Sequence, residues 1–309
     1  MKTKFGSKKQ ILLLACCLSM STSVWAENTI TGEKPTVLGD ENVISADYAI
    51  SVGIGNKNTA QYGIAIDHKA DVSPVEGQSV TTGNIAIGEG AKAHGNAAIT
   101  IGTGGLISNG ISSVTIGGSS ANHTYGAEST IAGGMSNEAK AWGTAIGGGH
   151  SNKVEGAMAV VNGGMSNMAT GDASVVIGGM GSYAKGAGSI AGGGYSDLSA
   201  GKEEGIAGAI ANTAGSIAFG GGTVAGKENG SEQAVAMGYT AKATGNNSLS
   251  LGFDTTASGD NSISIGTGNT VSGNNSGAMG DPSFISGDDS YSVGNNNSIS
   301  TNNTFVIII

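Results

Sequence analysis

The chain has no arginine, and its only two cysteines, Cys16 and Cys17, stand side by side near the start. Aromatic residues make up 5% of the 309 residues and prolines number three, so neither a thick aromatic core nor a proline-rich linker organises it. The formal net charge is −9, and an acidic, arginine-free surface repels phosphate backbones, which argues against nucleic acid as a partner. After residue 26 no apolar run approaches the roughly 18 residues of a membrane helix, and Phe305 to Ile309 is only strand-sized.

Residues 1–26 read as a secretory signal peptide. Lys2, Lys4, Lys8 and Lys9 form a basic start, Ile11 to Val24 a short apolar core, and Val24-Trp25-Ala26 a small-residue cleavage site before Glu27. Leu14-Ala15-Cys16 offers a competing lipoprotein reading, but the apolar run before it is too short. Cleavage before Glu27 removes four lysines and no acids, moving the charge from −9 to −13. It also removes both cysteines, so neither disulfides nor thiolate metal sites can hold the mature chain.

What the chain does have is glycine, 56 residues of it, at regular spacing. Gly238, Gly252, Gly266, Gly280 and Gly294 recur every fourteen residues, with Gly245, Gly259, Gly273 and Gly287 half a period out of phase. The text between them repeats: NNSLSLG ends at Gly252, DNSISIG at Gly266, DDSYSVG at Gly294. A fixed short period of strand-like units predicts a solenoid in which each coil packs on its neighbours. Ser248 to Leu251 alternates small polar with apolar, the period of two of a half-buried strand. This predicts inward columns through Leu249, Ile263, Met279 and Val293, and a second set through Ala243, Ala257, Val271 and Ile285. Both glycine series are expected at turns, followed by Asn246, Asp260, Asn274 and Asp288 as left-handed residues.

In the middle, Met135, His150, Met165, Met180 and Tyr195 recur every fifteen residues, each after a Gly-Gly pair. Upstream, Ile85 to Gly88, Ile99 to Gly102 and Val114 to Gly117 repeat the strand pattern. From about Tyr48 to the end this predicts roughly eighteen coils, on the order of 85 Å long at ~4.8 Å per coil.

The unit N-S-h-S/A-h-G, a turn, a second strand and another glycine, as in ENGSEQAVAMGYTAKATGNNSLSLG ending at Gly252, resembles the head repeat of YadA-like trimeric autotransporter adhesins. The resemblance implies an all-β, left-handed parallel β-roll solenoid of 14–15-residue coils, with three chains wound into a homotrimeric head. It implies display on the outer membrane of a Gram-negative bacterium and adhesion to host extracellular matrix or cell-surface proteins, collagen among them, or to other bacteria. The chain then divides into a signal peptide at 1–26, a lead-in at 27–47 and head repeats at 48–309. The family continues into a neck, a coiled-coil stalk and a membrane barrel; no sustained heptads occur here, so the chain reads as a head cut off at Ile309.

The family's collagen-contact pattern S-V-A-I-G-x-x-S is matched with one change by Ser113, Val114, Thr115, Ile116, Gly117 and Ser120, Thr115 replacing alanine. Val114 and Ile116 are otherwise ordinary inward strand residues, and solvent-facing rows of Ser, Thr and Asn provide the broader contact surface.

Other motifs favour a non-enzymatic chain without cofactors. Gly221 to Lys227 is one residue short of a P-loop, and Glu228 stands where a hydroxyl would bind magnesium. His68, His94, His123 and His150 lie singly, without zinc spacing. The Asp and Asn clusters at 260, 288, 289 and 295–297 lack calcium β-roll repeats, and turn chemistry accounts for them. An ice-binding solenoid would need a threonine ladder, whereas Thr240, Thr255 and Thr270 change coil position. Trp142, at a coil corner, serves either as an exposed anchor or as a plug between chains.

Overall fold

The computed structural model describes residues 27–74, 81–118, 121–194, 208–228, 230 and 233–308. The signal-peptide segment, Ser119, Ser120 and Tyr195 lie outside the described residues. Within them the chain is all-β: thirty-six short strands alternate between two parallel sheets of eighteen strands each. Every strand pairs with the strand two ahead, so successive coils stack in register as a parallel solenoid of eighteen coils.

The step is fourteen residues at both ends, as in Val43↔Lys57 and Thr256↔Thr270, and fifteen in the middle, Glu138↔Lys153↔Met168↔Tyr183. Longer steps at Asp71↔Lys92, Tyr183↔Ile210 and Val224↔Lys242 place their extra residues between strands without breaking register. The stack begins earlier than the sequence suggested. Thr29–Ile30 already pairs with Val43–Ile44, so the segment 27–47 is itself coil and not a lead-in.

A typical coil inside the stack buries four side chains, one at each corner and one from each strand. In the coil from Thr255 these are Thr255, Ala257, Ser262 and Ser264, all fully buried. The column Ala243, Ala257, Val271, Ile285 and Ile299 is buried as the period predicted. Opposite it, the inward residues are Ser250, Ser264, Ala278 and Ser292, not the large apolar ones. Two sheets this close leave room for small side chains, and the serines satisfy themselves locally. Ser248 and Ser262 donate to the carbonyls of Gly245 and Gly259 at 2.6 Å, and Ser250 to Thr255 O at 2.9 Å.

Between 122 and 182 one buried corner is an amide ladder. Asn122, Asn137, Asn152 and Asn167 each accept, through Oδ1, the backbone N–H of the next corner residue at 2.8–3.0 Å. Asn152 Nδ2 also donates to Gly148 O and Gly164 O at 2.9 and 3.0 Å, so the glycine turns are tied from inside.

The two glycine series do different work. Gly238, Gly252, Gly266, Gly280 and Gly294 take φ between 121° and 133°, as a turn there requires. Gly245, Gly259 and Gly273 do not; there the next coil's backbone passes so close that a Cβ would overlap its carbonyl. Left-handed φ falls two residues later, on Asn247, Asn261, Asn275 and Asp289, and not on the Asn and Asp directly after the glycines.

Candidate interaction surfaces

Because small residues fill the interior, the alternation turns the large apolar ones outward. Leu249, Ile263, Gly277 and Tyr291 form one outward column, and Leu251, Ile265, Met279 and Val293 another. Leu249 and Ile263 therefore do not share a column with Met279 and Val293, and none of the four is an inward core residue. Leu251, Met279 and Val293 remain 41%, 49% and 40% exposed. Ile99↔Val114 and Ile101↔Ile116 continue the face upstream. It shrinks in the middle to Ala132, Gly147 and Asn162, where the buried strand residues become Ile131, Ile146 and Val161 instead. On the coils either side of that interruption, apolar patches of this kind are typical of contact surfaces.

The opposite sheet's outward row is mixed: Lys57, Lys92, His123, Glu138 and Lys153 share it with Val43, Ile107, Met168, Tyr183 and Phe284. At its centre Lys140 lies 3.4 Å from Glu138 and 3.5 Å from Glu155, and Lys153 lies 2.7 Å from Glu155. The contact to Glu155 raises the Lys153 ammonium above its ordinary range and lowers the Glu155 carboxyl. Sequence reading missed this network, although its signal is present: Glu138-Ala139-Lys140 and Lys153-Val154-Glu155 are the same motif reversed, one coil apart. Nearer the start, Asp71 accepts from Ser73 Oγ at 2.6 Å and sits 3.4 Å from His94. Burial pushes the Asp71 carboxyl up, but the hydrogen bonds from His94 and Ser73 and the charges of His94 and Lys57 more than reverse it, leaving it below its usual range.

The turn edges carry external ladders. The backbone N–H groups of Asn246, Asp260, Asn274 and Asp288 donate to Oδ1 of Asp260, Asn274, Asp288 and Asn302 at 2.7–3.0 Å. These Asp and Asn residues are thus bonded to one another from coil to coil. Among the described residues no three His, Cys, Asp or Glu side chains gather as a metal site. Two aromatic pairs stack along the edges, Tyr48 with Tyr62 at 5.5 Å and Tyr239 with Phe253 at 5.4 Å. Trp142 is 49% exposed at a corner, with Met158 on the corresponding corner of the next coil.

The sequence-derived contact residues divide by direction. Ser113 and Thr115 are fully buried, and Thr115 Oγ1 bonds Thr124 Oγ1 inside the coil. Val114 and Ile116 point outward on the apolar face, contrary to the inward expectation, while Gly117 follows them at the strand end. Many serines, threonines and asparagines are interior, Asn122 and Thr124 among them, while others, such as Asn246, Asn261 and Asn274, stay exposed on the turns. Thr240 sits on an exposed turn, Thr255 in the interior and Thr270 on the mixed strand face beside Thr256; Lys242 and Phe284 bound that pair. In the P-loop-like stretch, Val224–Ala225 is a strand of the stack, and Glu228 pairs with Lys185 at 3.3 Å.

Residues 231–255 and 257–281 match the YadA head domain repeat, in two copies. They coincide with the most regular fourteen-residue coils, so the chain contains a YadA-like head-repeat region. No curated protein matches the chain.

Proposed function

We propose that this chain is the head of a trimeric, surface-displayed adhesin of a Gram-negative bacterium, non-enzymatic and without cofactors. The observation that carries the proposal is the outward apolar face through Leu249, Leu251, Ile263, Ile265 and Met279, which lies in the same coils as the matched repeats. A lone rod would leave this face in water; three copies turning it toward a common axis cover it and present the opposite, mixed face outward. Attachment to host matrix, collagen included, or to cells then works by avidity along the rod. In this assembly Val114 and Ile116 face the axis, so contact by the described part of 113–120 is confined to the rim around Gly117.

The test combines assembly with adhesion. Light scattering on the full chain should give a trimer mass, and Leu251→Asp with Ile265→Asp should give a monomer with unchanged β-sheet circular dichroism. The trimer should bind immobilised collagen or cultured cells, and the double variant should lose most of that binding. A monodisperse wild-type monomer, or a trimer with no affinity for matrix or cells, overturns the proposal.

A further inference from the structure

Met135, His150 and Met165 are joined by consecutive parallel bridges, so one coil corner stacks a thioether, an imidazole and a thioether. The backbone is pinned on both sides of the row. Met135 N donates to Gly149 O and His150 N to Gly164 O at 2.9 Å, while Ser151 N and Ser166 N donate back to Met135 O and His150 O at 3.0 and 2.9 Å. Ser136, Ser151 and Ser166 take the same left-handed φ, 56°, 55° and 55°, so the three side chains leave equivalent corners in the same direction. Met135 and Met165 are 40% and 39% exposed and His150 is half-buried, which leaves the row open to small solutes. Gly-Gly pairs precede all three residues along the chain.

The histidines differ in company. His68 lies 3.5 Å from Glu89, His94 lies 3.4 Å from Asp71, and His123 lies 2.9 Å from the Tyr125 hydroxyl. The His150 side chain has no hydrogen bond or ion pair among the described residues, and thioether-bearing residues flank it on both sides. Neighbouring parallel coils lie ~4.8 Å apart, a separation that three rotatable bonds per methionine can close around one ion.

We infer that this corner binds a soft monovalent cation, Cu(I) or Ag(I), through Met135 Sδ, an imidazole nitrogen of His150 and Met165 Sδ. Two thioethers and a neutral imidazole supply soft, uncharged donors, which suit Cu(I) and offer little to calcium or magnesium, whose ligands are oxygens. The imidazole binds through an unprotonated ring nitrogen.

The probe is Ag(I), which avoids redox chemistry, titrated as nitrate in chloride-free buffer. Every protein is the full chain carrying Cys16→Ser and Cys17→Ser, so no thiolate competes. Methyl-labelled methionine spectra should show the Met135 and Met165 signals shifting with added Ag(I), while those of Met158, Met237 and Met279 stay put. Calorimetry should show Met135→Leu with Met165→Leu binding at least tenfold more weakly at unchanged thermal stability. His150→Met, which keeps a soft donor at the centre of the row, should retain binding, whereas His150→Leu should weaken it. Equal affinity in the wild-type and double-leucine proteins, or shifts spread over all methionines, overturns the inference.

Discussion

Gly252 lies directly beneath Gly266, so close that a Cβ on Gly252 would overlap the Gly266 carbonyl oxygen. Gly259 stands in the same relation to Gly273, but with ordinary backbone, whereas Gly252 has φ +133°. Alanine should therefore fail at both positions for partly different reasons: overlap at Gly259, overlap plus backbone strain at Gly252. We expect a loss of ~2–4 kcal/mol at each, with Gly252→Ala the worse. Asn261→Gly, where φ is 55°, should cost under about 1 kcal/mol. Thermal unfolding of the three variants checks this; a neutral Gly259→Ala would show that the coils can part.

The amide ladder gives a second expectation. Removing the Asn152 side chain strands Gly148 O, leaves Gly164 O with only the His150 N–H, and deprives Asn167 N of its acceptor. A buried group left unpaired costs about 1–3 kcal/mol, so Asn152→Ala should lose ~2–4 kcal/mol. Ser300→Ala, exposed and with ordinary backbone, should stay within about 0.5 kcal/mol. Urea unfolding midpoints at constant slope compare the two.

Coil length, register and the Ala243 to Ile285 column are legible in the sequence, because the glycine period and the alternation fix where strands and corners fall. Direction is not. Leu249 and Ser250 alternate, and placing the apolar partner inside presumes that the chain folds around its own core. The usable signal was size: in the terminal coils Ser250, Ser264, Ala278 and Ser292 are all small, while Leu249, Ile263, Gly277 and Tyr291 vary freely. The Ser113 to Ser120 pattern misled for the same reason, since two of its residues are interior.

Charge placed by direction should separate folding from assembly. Ala257→Asp puts a carboxylate into the dry interior and should cost several kcal/mol, unfolding the neighbouring coils. Ile265→Asp, half-buried on the outward face, should leave β-sheet circular dichroism intact and weaken only association. Analytical ultracentrifugation beside circular dichroism resolves these outcomes; unfolding by both variants would place Ile265 inside.

Acid sensitivity should begin at Asp71. Its folded carboxyl lies below the ordinary value of about 3.9, so its stabilisation is fully present above that value. It is lost as pH falls through the lower folded value, when the carboxyl protonates and releases Ser73 and His94. Asp71→Asn should flatten the stability-against-pH curve below about pH 4 and change it little near neutrality apart from a constant offset. Thermal melts from pH 2 to 7 measure the difference.

The central and terminal coils place bulk on opposite sides of the same strand. Ile146 is buried with Ala145 and Gly147 beside it, whereas Ser264 is buried between Ile263 and Ile265. Reciprocal substitutions should therefore both fail, through different physics. Ile146→Ser removes most of a buried side chain and introduces a hydroxyl, which should cost ~2–4 kcal/mol through the cavity it opens against Val154 and Val161. Ser264→Ile forces a large residue between sheets spaced for small ones and should cost about 1–3 kcal/mol through overpacking. Ile265→Ser changes the outward neighbour, so it should lower chain stability by less than either and act mainly on association. Urea titrations at a concentration where the chain is monomeric isolate the first two effects. If Ser264→Ile proved stabilising there, the interior of the terminal coils would be looser than its serines imply, and their small size would need a cause other than the spacing of the sheets.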